Sequence, residues 1–481
     1  MDVGDFPELI NGGMGVAVSN WKLARVVSML GQGGVVSGTA LNVLLARRLQ
    51  DGDSGGHMRR ALEYFPFPSI AQQIMDRYFI EGGRKPGQQY KLTPLPQLNA
   101  GRDFNSLCVA ANFAEVFLAK EGHGGFVGIN YLEKIQFPHP SSLFGAMLAG
   151  ADAIFIGAGL PDAIPNVLES LVQYSPAKYP INVESALAGE KFYETFDPNE
   201  LMKEGGKIPS SISKPFFVPI IGGHLAGMVL LDRTNGRVDA FDVEDRVSGG
   251  HNSPPRKKPM ELSALGEPVY GIKDEINFEK IRALGKPFWL AGGYGSREGF
   301  LKAKSLGARG VVVGTALALS TDSGLREDYR RQLVIRALEG KAEVLNDPLA
   351  SPAGFPFRVV KLEGTLSEEG VYSSREKVCD LGFLRTAYRK PDGNVGYRCP
   401  AEPEADFLRK GGKLEEIAGR KCICNGLISS AGAPQLLSEG RYEPGIVTLG
   451  ADYPKIVEFC RNGNPDYNAE RVINIILGKE N

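Results

Sequence analysis

Eight short runs of β-branched or aromatic residues recur along the chain, each ending in glycine or a small polar residue. Helix-length sequence separates each from the next. The runs are Leu9-Ile10, Gly34 to Ser37, Phe126 to Asn130, Ala153 to Ile156, Phe216 to Ile221, Ala240 to Glu244, Phe288 to Ala291 and Gly310 to Val313. Helical patterns fall between them at Trp21 to Leu30, Leu143 to Ala149, Ala163 to Tyr174, Phe278 to Leu284 and Arg297 to Leu306. Strands that are apolar throughout must be covered on both faces, which requires a parallel sheet flanked by helices. Eight such units predict an α/β fold closed into a TIM-type (β/α)8 barrel.

Two stretches break the alternation, residues 41–105 and 175–214, and both read as insertions between barrel units. Long insertions in such loops commonly cover a site. Past Asp347-Pro348 the texture turns Pro- and Gly-rich and holds four of the six cysteines, which predicts a barrel over 1–347 and a C-terminal extension over 348–481.

The charge balance, 55 Lys+Arg against 56 Asp+Glu, leaves no global field to hold a nucleic acid or an anionic membrane surface. The longest apolar stretch, Phe216 to Leu231, is broken by Pro219, Gly222, Gly223 and His224 and falls short of a membrane span. The acidic start MDVGDFPELI lacks the features of a secretory signal. A cytoplasmic protein with no nucleic-acid or membrane partner is expected. Six cysteines over 481 residues are too sparse for a disulfide framework, in keeping with a reducing compartment.

Glycine is the compositional outlier, with 60 of 481 residues, roughly twice the usual share of about 7%. The excess is concentrated at the ends of the predicted strands: Gly12-Gly13-Met14-Gly15, Gly249-Gly250-His251, Gly292-Gly293-Tyr294-Gly295 and Gly314-Thr315. In a barrel those ends share the face that carries active sites, and the loops after strands seven and eight commonly cradle phosphate through backbone N–H groups. The chain contains neither G-x-G-x-x-G nor G-x-x-x-x-G-K-[ST], so the phosphate expected is that of a mononucleotide cofactor held in a barrel.

Of five histidines, His57 reads as surface, His123 as a turn and His139 as a proline-flanked loop. His224 and His251 each follow Gly-Gly at a strand end and are expected to point toward the barrel mouth. His251 is the catalytic candidate, with Asp242, Glu244 and Asp245 upstream to bias its charge and the basic run Arg256-Lys257-Lys258 downstream. An imidazole there can act as a general base near neutral pH. No H-x-x-x-H spacing accompanies either histidine, and the spacing of Cys379, Cys399, Cys422 and Cys424 fits neither zinc nor iron–sulfur ligation well. No metal site is assigned; those four read as buried thiols, and Cys108 and Cys460 as core residues. YRKPDGNVGYR reads as a hairpin turned at Asp392-Gly393.

Together LINGGMGVAVS, LARVVSMLGQGGVVSGT, VGIN, AGADAIFIGAGLP, SGGHNSPPR, PFWLAGGYGS and LGARGVVVGTALALSTDSG, over residues 9–325, resemble the nitronate monooxygenase (2-nitropropane dioxygenase) family. That family of FMN-dependent barrel enzymes also includes enoyl reductases. The resemblance implies FMN bound by Gly12, Gly13 and Met14 along the flavin and by Asn130 near its ring. It further implies phosphate turns at Gly292, Gly293, Gly295, Gly314 and Thr315, and a turn of Ser248, Gly249 and Gly250 leading to the catalytic His251. Two positions depart from the family pattern: Asn11 stands where Gln is usual, and SPPRKK follows the histidine motif where glycine is commonest.

By that resemblance the expected reaction is oxidation of an alkyl nitronate by O2 to a carbonyl compound and nitrite, with His251 orienting the substrate or removing an α-proton. The alternative is enoyl-thioester reduction by NAD(P)H, in which Arg256, Lys257 and Lys258 meet the phosphate or acidic surface of an acyl carrier protein. A third possibility outside enzymology is a flavin-free scaffold. For the extension the expected roles are covering the barrel or self-association into a homo-oligomer.

Overall fold

A computed structural model describes residues 3–479. Its central sheet has eight parallel strands: β1 Leu9–Asn11, β2 Gly34–Ser37, β3 Val127–Leu132, β4 Ala153–Gly157, β5 Phe216–Ile221, β6 Phe241–Glu244, β7 Phe288–Ala291 and β8 Gly310–Val313. Neighbours run in the order β1-β8-β7-β6-β5-β4-β3-β2. The ring closes between β2 and β1, where Asn11 N–H donates to the Gly33 carbonyl over 2.9 Å and Gly33 N–H to that of Leu9 over 2.8 Å. The TIM-type barrel read from the alternation is therefore the architecture observed.

Asn11 explains part of that closure. Its fully buried amide donates to the Val35 carbonyl and accepts from the Val35 N–H, each over 2.7 Å, so the side chain acts as a peptide unit stitching β1 to β2. The departure from Gln at this position thus belongs to the barrel seam.

Period-two alternation sorts the strand residues. Ile10, Val35, Ala153, Phe155, Val218, Ala240, Trp289, Ala291 and Val312 fill the interior. Their neighbours Leu9, Val36, Ile154, Phe217, Phe241, Leu290 and Val313 face the helices in the main core. The bottom is plugged by Phe6, whose ring lies 4.8 Å from Phe126 and 4.9 Å from Phe216, and by Trp289 donating to the Pro7 carbonyl over 2.8 Å.

The two interruptions occupy the β2–β3 and β4–β5 connections. Residues 41–105 form the helices Leu41–Gln50, His57–Glu63 and Pro68–Tyr78 followed by irregular chain. Residues 175–214 hold the antiparallel pair Ala177–Ile181 and Phe192–Phe196 with a short helix Pro198–Met202.

Beyond β8 the chain continues through helix Glu327–Leu338. An antiparallel pair, Val344–Asp347 with Phe357–Val360, then crosses the change of texture at 347. The hairpin Thr386–Arg389 with Val395–Arg398 turns through Gly393, as its sequence predicts, and adds Val183–Glu184 from the second insertion as a third strand. The last helix, Ala469–Leu477, packs between Arg297–Ser305 and Trp21–Met29, in the helical ring itself. Val472, Ile473 and Ile476 are buried there, each contributing about 1.5–3 kcal/mol. One hydrophobic core therefore includes both Leu9 and Ile476.

Candidate active site

The strand ends open into a cavity of about 230 Å³. Its origin lies in the sequence: at the inward positions nearest the mouth stand Gly12, Gly157, Ala291 and Gly314, too small to meet across the barrel. Gly12, Gly13, Met14, Asn130, Ser248, Gly249, Gly250, His251, Gly292, Gly293, Gly295, Gly314 and Thr315 all line it, so every site residue named from sequence comes to one place.

Two of these positions show why glycine is needed. A Cβ on Gly13 would fall 2.0 Å from that of Asn130, so the β1 loop can lie against β3 only without a side chain. Gly292 has φ +81°, a left-handed conformation that disfavours other residues, and a Cβ there would sit 2.5 Å from the Ser248 hydroxyl. The turns after β6 and β7 thereby fit together.

His251 sits at the cavity with Nε2 2.6 Å from Ser351 Oγ. Its ring packs edge-on to Phe357, with centroids 4.9 Å apart. Burial, reinforced by the positive charge of Lys134, lowers its pKa to about 4, so the imidazole is neutral at neutral pH. The upstream carboxylates, expected to bias its charge, are not what sets it. They face the cavity floor instead, Asp242 and Glu244 being alternate inward residues of β6. Burial raises Asp242 to about 7. Burial and then repulsion from Asp242 raise Glu244 to about 8.

The other histidines play no part in the cavity. His224 opens the helix His224–Arg233 and does not line it. His139 is not in a loop: it opens helix His139–Leu148, fully packed between Tyr131 and Tyr179. Arg256, Lys257 and Lys258 are exposed and also lie outside the lining, with Lys257 paired to Glu261.

Sequence reasoning missed how much of the wall comes from beyond residue 347. Phe357, Phe383, Leu384, Ile423, Leu427 and Ile428 form an apolar side with Ile135 and Ile220. A strap over Thr448 to Asp452 crosses the mouth: Gly250 N–H donates to Thr448 Oγ1 over 2.6 Å and Ala451 N–H to the Val247 carbonyl over 2.8 Å. Thr315, expected at a phosphate turn, has its hydroxyl engaged, accepting from Gly450 N–H over 2.9 Å and donating to Asp452 over 2.8 Å. No motif announces these residues; the glycine of TLGAD is the one local cue. Among the described residues, no Lys or Arg lines the cavity.

Cys424 also lines the wall, and burial raises its thiol and that of Cys422, with the other extension cysteines near enough to contribute. Cys379 is exposed, where burial is expected from sequence. Among the described residues no group of three or more His, Cys, Asp or Glu is disposed to hold a metal ion, and no helix is long and apolar enough to cross a membrane.

The residues present fit a flavin nucleotide. Glycine backbone at the β7 and β8 turns opens onto the cavity, and one buried polar atom that lines it, Asp242 Oδ1, has no partner within the protein.

No protein-family model and no curated protein matches the chain. Among solved structures it is similar to FabK from Thermotoga maritima, at 15% identity and a TM-score of 0.46, covering 99% of this chain and 92% of that one. It is also similar to nitroalkane oxidase from Streptomyces ansochromogenes, at 12% identity and a TM-score of 0.43, covering 99% of this chain and 96% of that one. The enoyl reductase domain of MlnA from the macrolactin cluster of Bacillus amyloliquefaciens follows at 9% and 0.35, covering 75% of this chain and 64% of that one. At such identities and TM-scores nothing about activity passes from these proteins to this chain.

Proposed function

We propose that the protein is a flavin-dependent oxidoreductase, with FMN at the barrel mouth and His251 beside the substrate. The observation that carries this reading is the convergence of every motif residue on one cavity with an unpartnered carboxyl oxygen in its floor. When bound, the flavin supplies two-electron chemistry. Gly292, Gly293, Gly295 and Gly314 would present backbone N–H groups to its phosphate, and Gly13 and Met14 would lie along its ring. His251, neutral in its pocket and engaged at Nε2 by Ser351, would have Nδ1 left for the substrate, as an acceptor for an α-proton in one tautomer or as an N–H that orients an oxygen in the other.

Two substrates divide this reading. Oxidation of an alkyl nitronate by O2, giving a carbonyl compound and nitrite, is the reaction the motifs imply. The lining favours the alternative, NAD(P)H-dependent reduction of an enoyl thioester. An anionic nitronate would find no Lys or Arg in the lining and a neutral His251, with the charge of Lys134 acting only from behind the wall, whereas the apolar side suits an acyl chain. Anaerobic stopped-flow of the flavin tests the choice. Bleaching by NADPH, with reoxidation by a crotonyl thioester, is the result expected. Rapid bleaching by propionate 3-nitronate alone returns the assignment to nitronate oxidation, and a purified protein without any flavin spectrum overturns both.

A further inference from the structure

The four cysteines of the extension gather in one place although they come from three segments. Cys379 lies in the loop that leads to Phe383 and Leu384, Cys399 follows the strand Val395–Arg398, and Cys422 and Cys424 open the helix Ile423–Ser430. Loop and helix are tied together: Gln435 Nε2 donates to the Val378 carbonyl over 3.1 Å, and Arg47 reaches both Asp380 and the Ala433 carbonyl. A charge on Cys379 acts on each of the other three sulfurs, and one on Cys399 acts on Cys422 and Cys424. Three of the four accept a backbone N–H: Cys379 from Gly382 over 3.4 Å, Cys399 from Ala401 and Cys424 from Leu384. Such donors favour the thiolate, the form in which cysteine binds metal.

The same place collects buried donors with nothing to bond. Asn425, next to Cys424 in the chain and 1% exposed, leaves both polar atoms of its amide unpartnered. Tyr372, under the charge of Cys422 and Cys399, has no partner for its hydroxyl. Arg375 pairs with Glu443 and still leaves Nη1 unused near Cys422. Unsatisfied groups of this kind are rare in native interiors and call for a missing partner. Here that partner must be bound by thiolates and must itself accept hydrogen bonds, which a bare cation cannot do. Zinc is further set aside because, among the described residues, no three His, Cys, Asp or Glu side chains are disposed about a single ion, whereas a tetrahedral site brings four to it. An iron–sulfur cube gives each cysteine its own iron, at separate corners, and carries sulfides that accept from N–H and O–H groups. We propose that Cys379, Cys399, Cys422 and Cys424 ligate a [4Fe–4S] cluster, with Tyr372, Arg375 and Asn425 donating to its sulfurs. The wide spacing of these cysteines along the chain, unlike a local ligand motif, follows from assembly of the site by tertiary packing. Cluster binding stands apart from the flavin reading, but Leu384 and Cys424 also line the cavity, so the cluster joins the two segments that supply Phe383, Ile423 and Leu427 to its apolar side.

The test is anaerobic purification of the full chain, with iron and sulfide analysis and EPR of the dithionite-reduced protein. About four irons and about four sulfides per chain are expected, with an EPR signal from the reduced cluster. Cys399→Ser and Cys422→Ser should each lose most of the iron, whereas Cys460→Ser, outside the group, should keep it. Should the first two not fold, Cys379→Ser, at the exposed position, carries the comparison. Zinc in place of iron, about two irons per chain, or no metal after reconstitution with iron and sulfide would overturn the proposal. Iron that survives in every cysteine variant would overturn it as well. Protein that holds the cluster but takes up no flavin would leave this proposal standing and overturn the flavin reading instead.

Discussion

Thr315 donates its hydroxyl hydrogen to Asp452 over 2.8 Å, joining the end of β8 to a strap 137 residues further along the chain. The same oxygen accepts from Gly450 N–H, so one small side chain anchors the strap twice. Thr315→Val keeps the shape and removes both bonds. Leaving buried groups unpaired costs about 1–3 kcal/mol each. A fall in stability of that order is expected in urea unfolding, with a smaller one for Asp452→Asn, which keeps an acceptor. Unchanged unfolding would show that the strap is held by its other contacts alone.

His251→Ala should keep its flavin and lose turnover by about 10²–10⁴-fold, the range for a positioned acid or base. The substitution also leaves a gap beside Phe357 and takes a partner from the buried Ser351 hydroxyl, so retained flavin is the check that the pocket has kept its shape. Steady-state kinetics with both substrate types are the measurement. Near wild-type rates with each would remove His251 from the chemistry.

Gly293 has φ +78° and lies at the proposed phosphate turn, with Val247 3.2 Å from where a Cβ would sit. Gly293→Asp combines backbone strain with an anion in that turn and is expected to give folded, colourless protein. Gly293→Ala, which carries the strain without the charge, should retain part of the flavin absorbance. A fully yellow aspartate variant would place the phosphate elsewhere.

His139 is 1% exposed, and burial lowers its pKa from 6.5 to about 4. Between those values the unfolded chain takes up a proton that the native imidazole refuses, so stability falls as pH drops from 6.5 toward 4. The slope is about 1.4 kcal/mol per pH unit for one such group. Wild type should lose about 2 kcal/mol more than His139→Phe between pH 7 and pH 5 in denaturant unfolding. Parallel losses in the two proteins would mean that the ring is protonated in the native state.

The barrel was legible in the chain because its signal is local. Each run such as Gly34 to Ser37 or Phe288 to Ala291 carries its own periodicity, and glycine marks its end. Asn130 and His251 could be placed for the same reason, since a strand end determines where the next residue goes. Ser351 against His251, Asp452 against Thr315 and Phe383 in the wall could not, because those pairings are made by tertiary packing over long separations. Asp242 was visible as an acidic residue near His251, but its inward direction depends on barrel alternation, and its lack of a partner appears only with every neighbour in place.

The helix Ala469–Leu477 takes its place in the ring between helices whose sequences lie far upstream, and the strap it follows roofs the cavity. Contacts of such long sequence separation form late, because the loop-closure entropy must be overcome before burial can compensate it. During synthesis all eight strands can be complete while the mouth still lacks Leu449, Gly450 and Asp452. The order of residues thus ties the roof of the pocket to the last part of the chain to be made: the mouth has no cover until residues 448–452 are in place, and the ring itself is incomplete until Ala469–Leu477 docks.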